Sequence, residues 1–283
     1  MFLYLLSFLL LFEIPVFSQR LNGLDREETQ NLVEEIPAFD AEIDWTSGIL
    51  RAKITIPSSQ SEANIGRFYD RVQNEVNEAL QSRLNKAIGV VRLSRDFKAS
   101  DYYNAYPEIR YEVYSHLENA RYYPVVKDGN SFKGMAELFL YGKDGILGIF
   151  FKNLQKRDVT NYIDEMKDLE YFDTLVIDML LFKDFSPSVA PRIYDEDGLL
   201  LYGPETMDYE SFLKNGGCLF TRSLSYAFSS QRTGKRVFYT MPKGITGMLN
   251  TDIVLFNSDA ARLFASRRSI KYINQGNVII VKP

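Results

Sequence analysis

The chain has 283 residues, of which 46% are hydrophobic, 14% aromatic and 25% charged, and its formal net charge is -4. This much charge excludes a polytopic membrane protein, and 20 Phe with 18 Tyr exclude a chain that stays disordered. One Cys excludes an intrachain disulfide and any zinc or iron–sulfur site built on Cys, and one His excludes a metal site rich in His. We therefore expect no metal and no other cofactor.

Residues 1–18 are typical of a secretory signal peptide. An apolar run from Phe2 to Phe12 stops before Glu13, and Ser18 supplies a small residue before Gln19, where cleavage is expected. No stretch of the chain reaches the roughly 18 apolar residues that a membrane-spanning helix needs. The segment contains no Lys or Arg, so a retained anchor is the alternative to cleavage. We predict an exported protein of the periplasm or envelope, without an integral membrane span in the mature chain.

An N-terminal α+β domain is predicted for residues 43–155, after an acidic leader over residues 19–42. The leader contains Glu34 and Glu35, which we expect to be solvated. The domain is predicted to place a long helix against a small antiparallel sheet. Its strand (Ile49 to Pro57) shows alternating polarity, and its helix (Ser61 to Ile88) shows apolar residues at steps of three and four, with Ser61 as cap. Further predicted elements are a turn at 44–48, a helical region at 99–119 with a helix starting at Pro107, and strands at 125–126 and 132–141.

A second α+β domain of short strands and short helices is predicted for residues 174–283, after a connector over 156–173 that is helical from 158 to 171. Ile177 and Ile193 are expected to be buried on adjacent strands. The other predicted elements are a hairpin turning at Asp195–Gly198, strands at 175–182, 237–241, 252–256 and 278–281, and a helix at 258–268 capped by Ser258. Strands and helices do not alternate regularly, so the fold class is predicted to be α+β and not doubly wound.

Positive charge is concentrated near the C-terminus. Residues 216–283 hold ten basic residues against two acidic ones, whereas the whole chain has 33 Lys and Arg against 37 Asp and Glu. One interpretation is a solvated face, or one that packs beside the acidic part of the chain. The other is a docking face for an acidic partner, either an anionic envelope polymer or a protein, which we place on Arg262, Arg267, Arg268 and Lys271. Nucleic acid is not an expected partner of an exported chain.

Candidate catalytic and metal-binding residues are few. His116 is the single candidate base and no Gly-x-Ser-x-Gly motif exists, so we interpret it as a surface or helix-end residue. Cys218 is interpreted as a small buried residue. Asp195–Gly198 resembles part of a calcium loop, but Thr206 stands where the twelfth-position Glu is needed, so a plain turn is expected. Helical spacing favours packing over a stacking platform for seven clustered tyrosines: Tyr102, Tyr103, Tyr106, Tyr111, Tyr114, Tyr122 and Tyr123.

Two parts of the C-terminal half carry a family resemblance. One is residues 174–178 followed by 188–203, which contain Pro-Arg-Ile-x-Asp-x-x-Gly at Pro191 to Gly198 and then Tyr202-Gly203. The other is residues 257–263 followed by 277–281. These segments resemble the LPP20-lipoprotein and flagellar-assembly-protein-T-like group of exported bacterial envelope proteins, and residues 43–49 with the long helix resemble it more loosely.

The resemblance implies an envelope protein linked to outer-membrane or flagellar structures, and it transfers no catalytic residue. The group's lipid-accepting Cys is absent, which implies a soluble member, and residues 179–182 replace its usual Ala-Arg-Gly-Leu. The positions that carry the motif are interpreted as structural: Asp178, Pro191, Arg192, Asp197, Gly198, Tyr202 and Gly203.

We therefore predict a non-enzymatic exported envelope protein that acts by binding or assembly, with a protein partner in the envelope. A structural or accessory component associated with the flagellum is the form that the resemblance favours. The alternatives are a periplasmic protein that binds glycans or small ligands through the tyrosine cluster, and a hydrolase of envelope polymers.

Export gives the first testable prediction. The N-terminus of the native protein should lie at or near Gln19, because the apolar run and the small Ser18 match the substrate of a signal peptidase. Mass spectrometry of the N-terminal peptide of native protein measures this. Cytoplasmic protein that keeps Met1 would contradict the export reading.

Overall fold

The computed structural model describes residues 30–57, 65–152, 154–164 and 170–282, and it shows an α+β protein, as the sequence predicts. The α-helices in these ranges are α1 (Ile65–Gly89), α2 (Ala99–Ala105), α3 (Pro107–His116), α4 (Leu147–Phe150), α5 (Tyr209–Asn215), α6 (Leu224–Ser229), α7 (Asn257–Leu263) and α8 (Arg267–Asn274). The strands are β1 (Val33–Ile36), β2 (Ala41–Asp44), β3 (Ile49–Pro57), β4 (Arg92–Ser94), β5 (Phe97–Lys98), β6 (Arg121–Tyr122), β7 (Val126–Asp128), β8 (Ser131–Phe139), β9 (Thr174–Asp178), β10 (Ile193–Tyr194), β11 (Leu200–Tyr202), β12 (Leu219–Thr221), β13 (Val237–Thr240), β14 (Gly244–Thr246), β15 (Asp252–Val254) and β16 (Val278–Val281).

The N-terminal half consists of α1 packed on an antiparallel sheet. The strands lie in the order β1-β2-β3-β8-β6, with β7 also paired to β8. Val76, Leu80 and Leu84 share one face of α1 and are fully buried, because residues three or four apart lie on the same side of a helix. The predicted long helix and the predicted strand over 49–57 are therefore confirmed. Ser61, the predicted helix cap, lies outside the described residues.

The acidic leader forms a strand where the structure describes it, because β1 pairs with β2. Glu35 is exposed, as expected, but Glu34 is not simply solvated. Its carboxylate accepts hydrogen bonds from Arg92 Nη1 at 2.9 Å and from Trp45 Nε1 at 2.8 Å. Burial works to raise the pKa of Glu34, but the hydrogen bond and the charge of Arg92 outweigh it, and the pKa is lowered.

The predicted connector helix is wrong where the structure describes it, because residues 154–164 and 170–173 contain no helix. The backbone N–H of Arg157 donates to Glu205 O, and that of Asp164 donates to Ala265 O, both at 2.9 Å. Val159 is buried. The segment therefore satisfies backbone groups against the C-terminal half, which takes the place of hydrogen bonds within a helix.

The C-terminal half contains two four-stranded sheets. One has the order β12-β16-β9-β13 with all pairs parallel, and the other has the order β11-β10-β15-β14 with parallel and antiparallel pairs. Ile177 on β9 and Ile193 on β10 are both buried, which confirms that expectation. They lie in different sheets, so the expectation of adjacent strands is wrong: β9 pairs with β13 and β16, which are distant in sequence.

One continuous cluster of buried apolar residues extends through both halves. Val189 N donates to Arg92 O at 3.0 Å and Ala190 N donates to Leu93 O at 3.1 Å, so backbone bonds also join them. The predicted domain boundaries stay predictions. Within the described ranges, no helix combines the length and the apolar character needed to cross a membrane.

The burial of Ile177 gives a prediction about stability. Ile177→Ala should lower the free energy of unfolding by about 2–5 kcal/mol, because it leaves a cavity between β9 and the rest of the core. Leu181→Ala is the matched control, since Leu181 is 73% exposed and its truncation should cost less than about 0.5 kcal/mol. Denaturant unfolding measures both, and equal effects would contradict the described packing.

Candidate docking surface

Two helices near the C-terminus carry the predicted docking residues. Where the sequence predicts one helix over 258–268, the structure has two, because α7 ends at Leu263 and α8 begins at Arg267. The side chain of Ser266 caps α8 by accepting a hydrogen bond from Arg268 N at 3.2 Å. The inner face of α8 buries Ser269 and Ile273. The four predicted residues, Arg262, Arg267, Arg268 and Lys271, all lie on these helices and are exposed.

Aromatic rings support the arginines of this region. The Arg236 Cζ lies 4.3 Å from the ring centroid of Tyr171, and the Arg268 Cζ lies 5.4 Å from the same centroid. Tyr272 stacks on Tyr171 with centroids 6.0 Å apart and an interplanar angle of 22°. A guanidinium over a ring gains cation–π attraction and keeps N–H groups that can bind an anion.

Arg262 is held in a similar way. Its Cζ lies 5.5 Å from the ring centroid of Phe172 and 5.7 Å from that of Phe238. It also approaches Glu170 at 3.7 Å, but both side chains are more than 60% exposed, so this ion pair is weak. We call Arg236, Arg262, Arg267, Arg268 and Lys271 the basic surface. Apart from the pair to Glu170, none of its members forms an ion pair with a described residue.

The hairpin between β10 and β11 positions α7. Asn257, the first residue of α7, donates from its backbone N to Glu196 Oε2 at 2.8 Å and from its Nδ2 to Asp197 Oδ2 at 3.0 Å. Gly198 closes the hairpin at φ +81°, which a residue with a Cβ rarely adopts. The motif residues Asp197 and Gly198 thus hold the helix that carries Arg262.

The carboxylates of the same hairpin are hydrogen-bonded or ion-paired to other groups of this chain. Asp195 accepts from the backbone N–H groups of Asp197 and Leu199 and from the Tyr162 hydroxyl. Glu196 also pairs with Lys243 at 2.5 Å. Nowhere in the described part of the chain do three or more His, Cys, Asp or Glu side chains form a group that could hold a metal ion. The interpretation of 195–198 as a turn matches this hydrogen bonding.

Other motif residues have structural partners. Arg192 Nε donates to Glu205 Oε1 at 3.0 Å, and Gly203 lies so close that a Cβ there would be 2.9 Å from Arg192 Cγ. Asp178 accepts from the Tyr239 hydroxyl at 2.8 Å. The buried Tyr202 hydroxyl donates to Gly217 O. Pro191 is buried, and a Cβ on Gly217 would come within 2.9 Å of its Cδ.

Asp252 is a fully buried carboxylate beneath Arg192. Its Oδ1 accepts from Arg192 N at 3.1 Å and from Thr251 Oγ1 at 3.3 Å, while its Oδ2 has no hydrogen-bond partner among the described residues. Burial raises the pKa of Asp252 to about 6, which Arg192 and Arg95 offset only in part. No sequence pattern indicates this buried group, since Asp252 is only the first residue of a predicted strand.

His116 and Tyr111 border an open groove of about 560 Å³ in the N-terminal half. His116 Nε2 lies 2.8 Å from Asp144 O, and the nearby Glu112 pairs with Lys152, so no described carboxylate orients the imidazole. Tyr111, at the rim, is 75% exposed, and Tyr106 and Tyr114 on the same helical region are also exposed. Tyr102, Tyr103 and Tyr122 pack against the core, as expected. Cys218 is buried, and burial raises the pKa of its thiol well above the usual range.

Sequence reasoning missed Arg236 and the supporting rings of Tyr171, Phe172 and Tyr272. These residues are up to about a hundred positions apart, and nothing local indicates that they meet. The one available signal is the pair Tyr171-Phe172 shortly before a buried strand, but the helix predicted over 158–171 includes Tyr171 and so hides it.

Comparison with known proteins gives one partial match. Residues 174–283, which are less than half of the chain, match the family model described as the second domain of Treponema pallidum Tp0624. The matched range starts at β9 and includes α7 and α8. No curated protein matches the chain.

Asp252 gives a prediction about pH. Because its pKa is higher in the folded protein, about 6, than the ordinary value of 3.8, the folded state binds the proton more tightly. Wild-type protein should therefore lose stability relative to Asp252→Asn as the pH rises from about 4 to 7, by roughly 3 kcal/mol at most. Denaturant unfolding of both proteins across that range measures the difference. A difference that stays constant with pH would contradict the raised pKa.

Proposed function

We propose that this protein is a non-enzymatic, exported envelope protein that acts by binding or assembly, and that its basic surface docks an acidic partner. The observation that carries the proposal is the support of Arg236, Arg262 and Arg268 by aromatic rings. Cations that served only to neutralise the acidic half would be expected beside carboxylates. Instead these guanidinium groups are exposed and keep N–H groups available for an external anion.

The envelope and flagellar parts of the proposal rest on sequence. Export is supported by residues 1–18, which lie outside the described residues. The resemblance to the LPP20-lipoprotein and flagellar-assembly-protein-T-like group supports a protein partner in the envelope and favours a flagellum-associated component. The match to a domain of a Treponema pallidum protein covers the part of the chain that holds the basic surface.

The second candidate function is binding of a glycan or small ligand. It is favoured by the groove of about 560 Å³ at α3, where the exposed Tyr111 could stack on a sugar ring. Glu112, Ser115 and Asn119 line the same groove and supply hydrogen-bonding groups. A hydrolase of envelope polymers is a weaker candidate, because it needs a pair of carboxylates beside the substrate and His116 has no such arrangement among the described residues.

Charge reversal tests the docking proposal. The triple variant Arg267→Glu, Arg268→Glu, Lys271→Glu should keep its fold, since exposed charges contribute about 0–1 kcal/mol each. Its capture of partners from native envelope, and its binding to poly-L-glutamate, should weaken and lose salt dependence, because exposed charges act over about 8 Å at physiological ionic strength. Affinity at low and at physiological salt measures both effects.

A matched control separates this surface from net charge alone. Arg110→Glu, Lys127→Glu, Lys143→Glu changes the net charge equally at exposed positions of the N-terminal half. It should bind like the wild-type protein. Equal weakening by both triple variants, or full partner capture by the folded first variant, would overturn the docking proposal.

A further inference from the structure

The strand β13 is an open edge of the parallel sheet. It is the last strand in the order β12-β16-β9-β13, and its single described partner strand is β9. Arg236 O accepts from Asp173 N at 2.9 Å, so residue 236 directs its backbone groups towards β9. Because alternate residues of a strand point to opposite edges, Phe238 and Thr240 also face β9, and Val237 and Tyr239 face outwards.

The outward backbone groups lack partners in the described protein. Outside the ladder with β9, no hydrogen bond with a described residue engages the backbone N–H or C=O of Val237 or Tyr239. Val237 is half-buried and Tyr239 is 42% exposed, so solvent reaches this edge. A row of unpaired N–H and C=O groups is a template for another strand.

The two faces beside this edge differ in chemistry. On the α7 and α8 side lie Arg236, which directly precedes β13, and Arg262, whose Cζ lies over Phe238. On the opposite side lies the exposed ring of Tyr239, whose centroid is 6.0 Å from that of Phe228, which is also exposed. A strand added here would therefore place one row of its side chains near arginines and the other row near aromatic rings.

We propose that β13 receives an extended segment of an acidic partner protein as an added strand, with acidic side chains on the arginine side and apolar side chains against Tyr239 and Phe228. This inference rests on the proposed docking function and specifies how the partner binds. The charge of the basic surface identifies the acidic row, and the alternation of the strand identifies the apolar row. The backbone hydrogen bonds to Val237 and Tyr239 fix the orientation of the added segment along β13, which charge alone does not.

Synthetic peptides test the proposal on the full-length protein. The probe is a blocked peptide of about eight residues, the length of an ordinary strand, that alternates glutamate with valine. The control peptide has the same composition with all glutamates first and all valines last, so that it cannot present acidic and apolar side chains on opposite faces. The alternating peptide should bind roughly tenfold more tightly than the control, because the control has the same backbone but cannot make both sets of side-chain contacts at once. Equal affinity of the two peptides would show that the surface binds a polyanion without strand addition, and would overturn the proposal.

Paired substitutions at Tyr239 isolate the backbone contribution. Tyr239→Ala removes the ring and keeps the outward N–H, whereas Tyr239→Pro removes both and leaves the bonds from Phe238 and Thr240 to β9 in place. Tyr239→Pro should bind the alternating peptide roughly tenfold more weakly than Tyr239→Ala. Equal affinity of the two folded variants would contradict strand addition.

Hydrogen exchange of the wild-type protein keeps the proposal testable even if the proline variant does not fold. The peptide should slow exchange at the amides of Val237 and Tyr239. Binding without protection at these amides would overturn strand addition, and the proposed function would stand if charge reversal of Arg267, Arg268 and Lys271 still abolished binding. Protection of both amides before any peptide is added, together with a dimer in sedimentation, would assign the edge to a second copy and overturn the proposal.

Discussion

Arg92 joins the two halves of the chain, and the arrangement of the C-terminal helices depends on that junction. Its Nε donates to Pro187 O at 2.7 Å and its Nη1 donates to Glu34 Oε1 at 2.9 Å, while its Cζ lies 5.4 Å from the Trp45 ring. Its backbone O accepts from Val189 N. A planar guanidinium can serve a carboxylate and a carbonyl together, so this side chain fixes β1 against the segment that leads into β10. The hairpin after β10 then holds the start of α7, which connects the junction to the basic surface.

The uneven distribution of charge has two different explanations within the same C-terminal segment. Several cations there serve the fold: Lys243 pairs with Glu196, Arg232 Nη1 donates to Gly276 O at 3.3 Å, and Lys282 Nζ donates to Phe185 O at 2.5 Å. Burial lowers the pKa of Lys282, a cost that Glu34 offsets only partly. The basic surface differs, because aromatic rings hold its arginines and the described carboxylates leave them largely unpaired. The structural interpretation therefore applies to Lys243, Arg232 and Lys282, and the docking proposal concerns other residues of the same segment.

Local patterns were sufficient to predict the elements whose signals are local. The alternation over Ile49–Pro57, the apolar stripe of α1 and the Asp-Gly turn before β11 are each complete within a short segment, and each element forms as predicted. The parallel sheet was not predictable in this way, because β9 is paired with strands that follow it by about 60 and 100 residues, and nothing in Ile177 or Ile193 indicates which sheet each joins. The prediction of a helix in the connector is wrong for a related reason. Its polar composition suits a helix, but its backbone N–H groups donate to residues that are distant in sequence. At the candidate site, the cluster of exposed cations was predictable from the local excess of Lys and Arg. The role of Tyr171, whose ring supports two arginines, was not, because it depends on tertiary contacts.

The position of Arg236 bears on what the open edge can accept. Arg236 directly precedes β13, and Lys235 beside it is also exposed, so a second copy that paired with this edge in parallel would bring cations close to cations. Like charges on neighbouring strands destabilise pairing, and natural proteins use charged residues at sheet edges to prevent self-association. The same charges attract an acidic strand. Under the proposal, charge near β13 would therefore disfavour a parallel second copy and favour an acidic partner, while the outward backbone groups of Val237 and Tyr239 would favour an extended segment over a disordered polyanion. Neither feature alone would give both kinds of selectivity, and they occur together at one edge of one sheet.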